Sequence, residues 1–312
     1  MQIVDAQVHV WASGESTGHH RRAPITRDVL VDEMVRANVD RALLVPPLWD
    51  PEGNAYSLSL AQAEPERFAV MGLLPADIED PAVAIATWRD QPGMLGVRFL
   101  FNTPARIAPL REGRYERVWP VAQETGLVVA LHVPGALDEA AAIAQRFPRL
   151  PLIVDHLGVP RGSSGPAAFD HLPSLLALAR YPNVHVKAAG VGDYALDPYP
   201  FRSLEQPLRQ VFDAFGAERI VWASELSRLH HPYRQCVTHF SETLGWLSDA
   251  DRAAVMGGNL CRLLGWNQRC TDGRRAGLQS GAGGVEGTSA RKRGCEEVEV
   301  RVKVRTANLK SN

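Results

Sequence analysis

The chain has 312 residues, 45% hydrophobic and 22% charged, with a net charge of −1. That is the composition of a soluble globular protein with room for a sizeable core, and nothing in its charge balance points to nucleic acid or a membrane surface as partner. No run reaches the roughly 18 apolar residues of a membrane span, no basic-then-apolar leader opens the sequence, and four cysteines (Cys236, Cys261, Cys270, Cys295) without CxxC spacing fit a reducing cytoplasm.

The first element is the stretch Ile3-Val4-Asp5-Ala6-Gln7-Val8-His9-Val10-Trp11. Strand alternation puts Asp5, Gln7 and His9 on one face and Val4, Val8 and Val10 on the other. A carboxylate, an amide and an imidazole on one face are costly in a packed core, so that face is expected to line a site. Residues 12–25 read as a polar loop, and Thr26 is the expected N-cap of a helix to about Asn38. The pattern then repeats. Strands are expected at 41–49, 68–74, 95–101, 127–133, 152–157, 184–189 and 220–225, each followed by a helical segment, with helices near 232–244 and 249–264 at the end.

Eight apolar strands alternating with eight helices over about 265 residues are the count and size of a (β/α)8 barrel, a TIM barrel. A doubly wound sheet would need an extra domain and a Gly-rich phosphate loop that this sequence lacks. The barrel is expected to span residues 1–267. From 268 to 312 the chain turns Gly-, Ser- and Arg-rich, with ten Lys/Arg against five Asp/Glu, leaving the first 267 residues at −6. Such a segment reads as a basic, disordered tail. Val298, Val300, Val302 and Val304 could make one short strand there, and a basic strip for an acidic partner is the other reading of the tail.

In such a barrel the site lies at the C-terminal ends of the strands. The polar residues expected there are Gln7 and His9 on the first strand, Arg98 on the fourth, His132 on the fifth, His156 on the sixth, Lys187 on the seventh and Glu225 on the eighth. Each alone has a structural explanation; three histidines and a carboxylate at matching heights point to one pocket. Arg98 could grip a substrate carboxylate or form an ion pair with Asp5 or another acid. Lys187 could orient an oxyanion or pair with a loop acid, and Asp155, adjacent to His156, is expected to face away from the lumen. Trp11, Trp49 and Trp222 are candidate pocket walls. Arg228 and His230 follow the eighth strand and could reach a substrate, while His19, His20, Arg21 and Arg22 sit in the first loop as a lid or as solvated residues.

The motifs Asp-Ala-Gln-Val-His-Val-Trp (5–11), Gly-Val-Arg-Phe (96–99), Asp-His-Leu-Gly-Val-Pro (155–160), Val-Lys-Ala-Ala-Gly (186–190) and Asn-Leu-Cys-Arg-Leu-Leu-Gly-Trp (259–266) resemble the amidohydrolase superfamily, in its amidohydrolase-related branch. That branch holds metal-dependent hydrolases, lactonases and non-oxidative decarboxylases. The resemblance covers residues 1–266. It implies that His9, His132 and His156 match histidine ligands, with two departures: Gln7 stands where a histidine is expected, and Glu225 where an aspartate is expected. It also implies a divalent metal, zinc foremost, on His9, His132, Glu225 and His156, or a metal-free lactonase relying on Glu225. Glu225 and His156 are then the catalytic pair, with Gln7, Trp11, Arg98, Lys187 and Arg228 as substrate contacts. The implied activity is water attack on a small carboxylated lactone or amide-like substrate. The alternatives are decarboxylation of an aromatic acid at the same residues, or a barrel that binds a metabolite without turning it over. The sequence does not fix the oligomeric state, and a homo-oligomer fits it as well as a monomer.

Overall fold

The computed structural model describes residues 1–75 and 77–266; the tail expected over 268–312 and its Val298–Val304 strand lie outside the described residues. Eight parallel strands follow one another around a nearly closed barrel: β1 (Val4–Val8), β2 (Arg41–Leu44), β3 (Phe68–Leu73), β4 (Met94–Leu100), β5 (Val128–His132), β6 (Leu152–Val154), β7 (Val184–Ala189) and β8 (Ile220–Ala223). The strands are shorter than their apolar runs because the runs continue into the turns that shape the site. Among the described residues no helix is long and apolar enough to cross a membrane.

Two layers of core follow from the alternation of side chains along these strands. Val8, Leu44, Val70, Val97, Leu131, Val154, Val186 and Trp222 point outward into the layer shared with the helices. Val4, Ala6, Leu43, Val45, Ala69, Met71, Ala130, Ile153, Val221 and Ala223 fill the barrel, joined by Leu260 and Leu264 from the last helix and Trp266 just beyond it. The Arg41 guanidinium lies 3.8 Å from the Trp266 ring and donates to the Trp266 carbonyl, closing the end where the strands begin. The opposite end stays open.

The seam between β8 and β1 departs from simple alternation. The register of β1 against β2 shifts between Asp5 and Val8, a bulge that puts Asp5 on the outer face while Ala6 and then Gln7 point inward. Asp5, Gln7 and His9 therefore do not share one face, as a regular strand would require, and Val4 faces the lumen. Asp5 serves the seam instead. Its Oδ1 accepts from the Gln7 and Ser224 backbone N–H groups, both at 3.0 Å, and its Oδ2 accepts from the Tyr233 hydroxyl at 2.6 Å. Beside it the Glu225 N–H donates to the Gln7 carbonyl at 3.0 Å. One buried carboxylate thus stands in for missing ladder bonds.

Removing that acceptor leaves three buried donors unpaired, at about 1–3 kcal/mol each before relaxation. Asp5→Ala is expected to lower unfolding free energy by about 3–5 kcal/mol and Asp5→Asn, which keeps an acceptor oxygen, by about 1–2, both read from urea denaturation. Val35→Ala, at a side chain 73% exposed, is the control and should shift stability by less than about 0.5 kcal/mol.

Candidate active site

The open end of the barrel holds a cavity of about 410 Å³. Its floor is built on charge. Asp155 is fully buried two residues beyond Ile153, which already faces the lumen, and so points into the barrel. The expectation that it faces away fails because His156, not Asp155, leaves the strand pattern. Asp155 Oδ2 accepts from Arg98 Nε at 2.6 Å and Oδ1 lies 2.7 Å from Lys187 Nζ. Burial works to raise the Asp155 pKa, but the charges of Lys187 and Arg98 overcome it and hold the group far below the usual carboxylate range. Burial pushes Lys187 down from its ordinary value, with Asp155 opposing.

Above this pair stand the two residues at which the backbone is forced. His156, with Leu157 after it, and Glu225 take left-handed conformations, at φ 56°, 53° and 51°. For a residue with a side chain this costs of order 1–2 kcal/mol, and such outliers concentrate at functional sites. The turns after β6 and β8 thereby swing both side chains over the barrel mouth. The Glu225 turn also needs Gly190 (φ +57°), since a Cβ there would sit 3.2 Å from the Ser224 carbonyl oxygen.

The contacts of His156 determine its proton. Arg98 Nη2 and Gln7 Nε2, which are donors, lie 3.2 and 3.4 Å from His156 Nε2, so Nε2 accepts and Nδ1 carries the hydrogen. That hydrogen faces Glu225 Oε2 at 3.5 Å, and His156 Nδ1 has no hydrogen-bond partner although buried. Burial lowers the His156 pKa to about 4. Burial would raise that of Glu225, but the facing His156 Nδ1–H and the Arg228 charge hold it well below its ordinary value. Glu225 is therefore an anion beside a neutral imidazole. Arg228 Nη1 lies 2.9 Å from its Oε2.

His9 is fixed from behind. Its Nδ1 donates to the Val45 carbonyl at 2.6 Å, which turns Nε2 toward Glu225 Oε1 at 3.7 Å. An imidazole nitrogen facing a carboxylate offers two donor atoms to a proton or to a metal ion between them. A third donor comes from the first loop: one ligand atom each of His9, His19 and Glu225 lie within 4.8 Å of one another. His19 Nδ1 bonds Ser227 Oγ at 2.8 Å, and burial lowers its pKa to about 3, so it too is neutral. Two imidazoles and a carboxylate are a donor set that suits a divalent transition metal.

Of the residues expected from sequence, His9, Arg98, His132, His156, Glu225 and Arg228 line the cavity, as do Trp49, His19, His20 and His230. His132 stands apart from the His9–His19–Glu225 group: its Nδ1 is 3.5 Å from Arg98 Nη2 and its ring centroid 4.9 Å from that of His156. Gln7, Trp11 and Lys187 are fully buried and are not part of the lining. Gln7 gives its amide oxygen to Lys187 and its NH2 to Glu225, and Trp11 packs behind Trp49. Trp222 lies in the outer layer. Arg98 does form an ion pair, with Asp155 and not Asp5. Residues that sequence reasoning missed are Arg161, Asp193 and Tyr194 on the cavity wall; Arg161 sits in a loop and Asp193 and Tyr194 in a single 3-10 turn after β7, where periodicity carries no signal.

A family profile described as amidohydrolase matches residues 4–266. The chain belongs to the amidohydrolase family. An L-fucono-1,5-lactonase of Burkholderia ambifaria is 28% identical to it over 280 residues, 83% of this chain and 93% of that protein. An amidohydrolase from Burkholderia multivorans with bound zinc superposes with a TM-score of 0.70 at 22% identity, covering 85% of this chain and 99% of the other. A 5-carboxyvanillate decarboxylase from Sphingomonas paucimobilis superposes with a TM-score of 0.57 at 16% identity, covering 84% and 98%. At these identities the superpositions establish a shared barrel. This amidohydrolase is an enzyme of the hydrolase class.

Its buried histidines make stability depend on pH. Burial drives His132 well below its ordinary value and His156 and His239 to about 4. In the unfolded chain each binds a proton near pH 6.5, so below that the unfolded state holds more protons and stability falls with pH by up to about 1.4 kcal/mol per unit per histidine. In EDTA, melting temperature is expected to drop by about 5–10 °C from pH 7 to pH 5. His239→Gln, remote from the cavity, should remove part of the drop; a flat profile would contradict the buried neutral state.

Proposed function

We propose that this amidohydrolase opens a small oxygen-rich lactone, a sugar-acid lactone or a carboxylated one, by water attack on its carbonyl. The observation that carries this reading is an anionic Glu225 beside a neutral His156, with His9 across from it, on the floor of a cavity whose lining includes three arginines, Arg98, Arg161 and Arg228. The sugar-lactonase relative supports the substrate class.

The residues divide the work. Glu225 orients the attacking water and accepts its proton, and the unpartnered His156 Nδ1–H is placed to bond that water or the carbonyl oxygen. Arg228, which already neutralises Glu225, prevents a second negative charge in the cavity from being repelled. Arg161 and the free edge of Arg98 bind carboxylate or hydroxyl oxygens of the substrate. Trp49, against the rings of His9 and His19, closes one side and limits solvent access. A divalent metal held by His9, His19 and Glu225 would supply a water of lowered pKa and polarise the carbonyl.

The test is hydrolysis of a panel of aldono-1,4- and 1,5-lactones and of dicarboxylated lactones, followed by acid release in weak buffer. Glu225→Gln is expected to lower kcat by about 10²–10⁴-fold with little change in KM. Arg161→Ala should raise KM about tenfold and leave kcat near wild type. Release of carbon dioxide from aromatic acids without lactone opening, or binding without turnover, would overturn the reading.

A further inference from the structure

Between Ala12 and Pro24 the first loop buries only Ser16, so little apolar surface holds it over the cavity. What holds it is a set of hydrogen bonds. The Arg21 N–H donates to the Ser227 carbonyl at 2.9 Å, His19 Nδ1 meets Ser227 Oγ, and Arg161 Nη2 donates to the Gly18 carbonyl at 3.2 Å. Gly18 sits at φ +76°, and a Cβ there would strike the Arg161 guanidinium. The loop thus bridges the turn after β8 and the loop after β6, with the His19 ring lowered to 5.3 Å from that of His9 and 4.7 Å from that of Trp49.

Beneath, β1 offers one imidazole, not two. Gln7 is fully buried and its amide oxygen is already bonded to Lys187. The Glu225 oxygens are divided as well: Oε2 faces Arg228 and His156, while Oε1 accepts from Gln7 Nε2 at 3.2 Å and faces His9 Nε2 at 3.7 Å. A cation at Oε1 would find His9 and Glu225 from the barrel and would lack a third strong donor unless the loop brought one. His19, with Nδ1 engaged by Ser227, is positioned to give Nε2.

We propose that His19 is the loop-borne third ligand of a divalent-cation site completed by His9 and Glu225, so that cation binding and docking of the 12–25 loop are one event. His132 and Gln7 contribute no ligand atom to it; Gln7 only donates to the Glu225 Oε1 that does. The assignment rests on the cavity described above being the reaction site. Its test is binding and loop protection, so a failed lactone assay would leave it intact.

The full chain, stripped with a chelator, is titrated with Zn²⁺ by calorimetry and separately exposed to trypsin with and without Zn²⁺. In the wild type, Zn²⁺ should slow cleavage after Arg21 and Arg22 at least about fivefold. His19→Ala is expected to weaken Zn²⁺ binding by at least about tenfold and to abolish the protection, with melting temperature of the metal-free protein unchanged. His19→Gln, which keeps a side-chain amide for Ser227, should show the same loss, separating the ligand from the loop anchor. His132→Ala should bind Zn²⁺ within about threefold of wild type. Unchanged Zn²⁺ affinity in both His19 variants would overturn the proposal, as would loss of binding in His132→Ala or Zn²⁺ binding that leaves the loop equally open to trypsin.

Discussion

Asp155 lies beneath the cavity, out of reach of solvent, and holds two cations at once, Arg98 through Nε and Lys187 through Nζ. Burying one carboxylate and two cations is expensive unless the charges meet at hydrogen-bonding distance. Here they do, and the geometry propagates upward. With Nε committed to Asp155, the Arg98 guanidinium plane is fixed and its Nη2 faces His156 Nε2. Lys187 in turn takes the amide oxygen of Gln7, which leaves the NH2 of Gln7 to face His156 and Glu225. Two donors on one nitrogen decide the His156 tautomer, and that tautomer directs a proton at Glu225. Breaking one partner of such a network leaves a buried charge uncompensated, so the site tolerates little change below its visible floor.

Two further constraints act on Glu225 from its own strand. The Asp5 carboxylate ties β8 to β1 directly before it, and the left-handed turn at Glu225 itself lifts the side chain off the strand axis. The strain is local and the seam bonds offset it. His9 is held in the same manner from the neighbouring strand, by the Val45 carbonyl. The groups proposed to react thus stand on rigid barrel staves, while the proposed substrate and cation contacts Arg161, Arg228 and His19 come from loops that can differ without disturbing the barrel.

The barrel was legible because eight apolar runs with helical segments between them leave few other architectures, and His9, His132, His156 and Glu225 were legible because strand ends in a barrel converge. Three things were hidden. The bulge in β1 is a register shift with no sequence mark, so alternation wrongly grouped Asp5 with Gln7. Asp155 and His156 are adjacent, and counting from the histidine inverted the acid, since the left-handed turn that breaks the pattern is a tertiary feature. His19 and Arg161 lie in polar loops where a ligand and a solvated residue read alike, and only closure of the chain over the barrel mouth brings them to Glu225. Gln7, Trp11 and Lys187, expected as substrate contacts, are fully buried and lie outside the cavity lining.

The floor network dictates where the His156 proton sits. The most direct measurement is ¹⁵N NMR of the histidine rings in the metal-free enzyme, comparing wild type with Asp155→Asn. The account predicts a single Nδ1–H tautomer for His156 in the wild type from pH 6 to 8, and a mixed or Nε2–H signal once Asp155 no longer anchors Arg98 and Lys187. An Nε2–H tautomer in the wild type, or a His156 signal indifferent to the substitution, would contradict it.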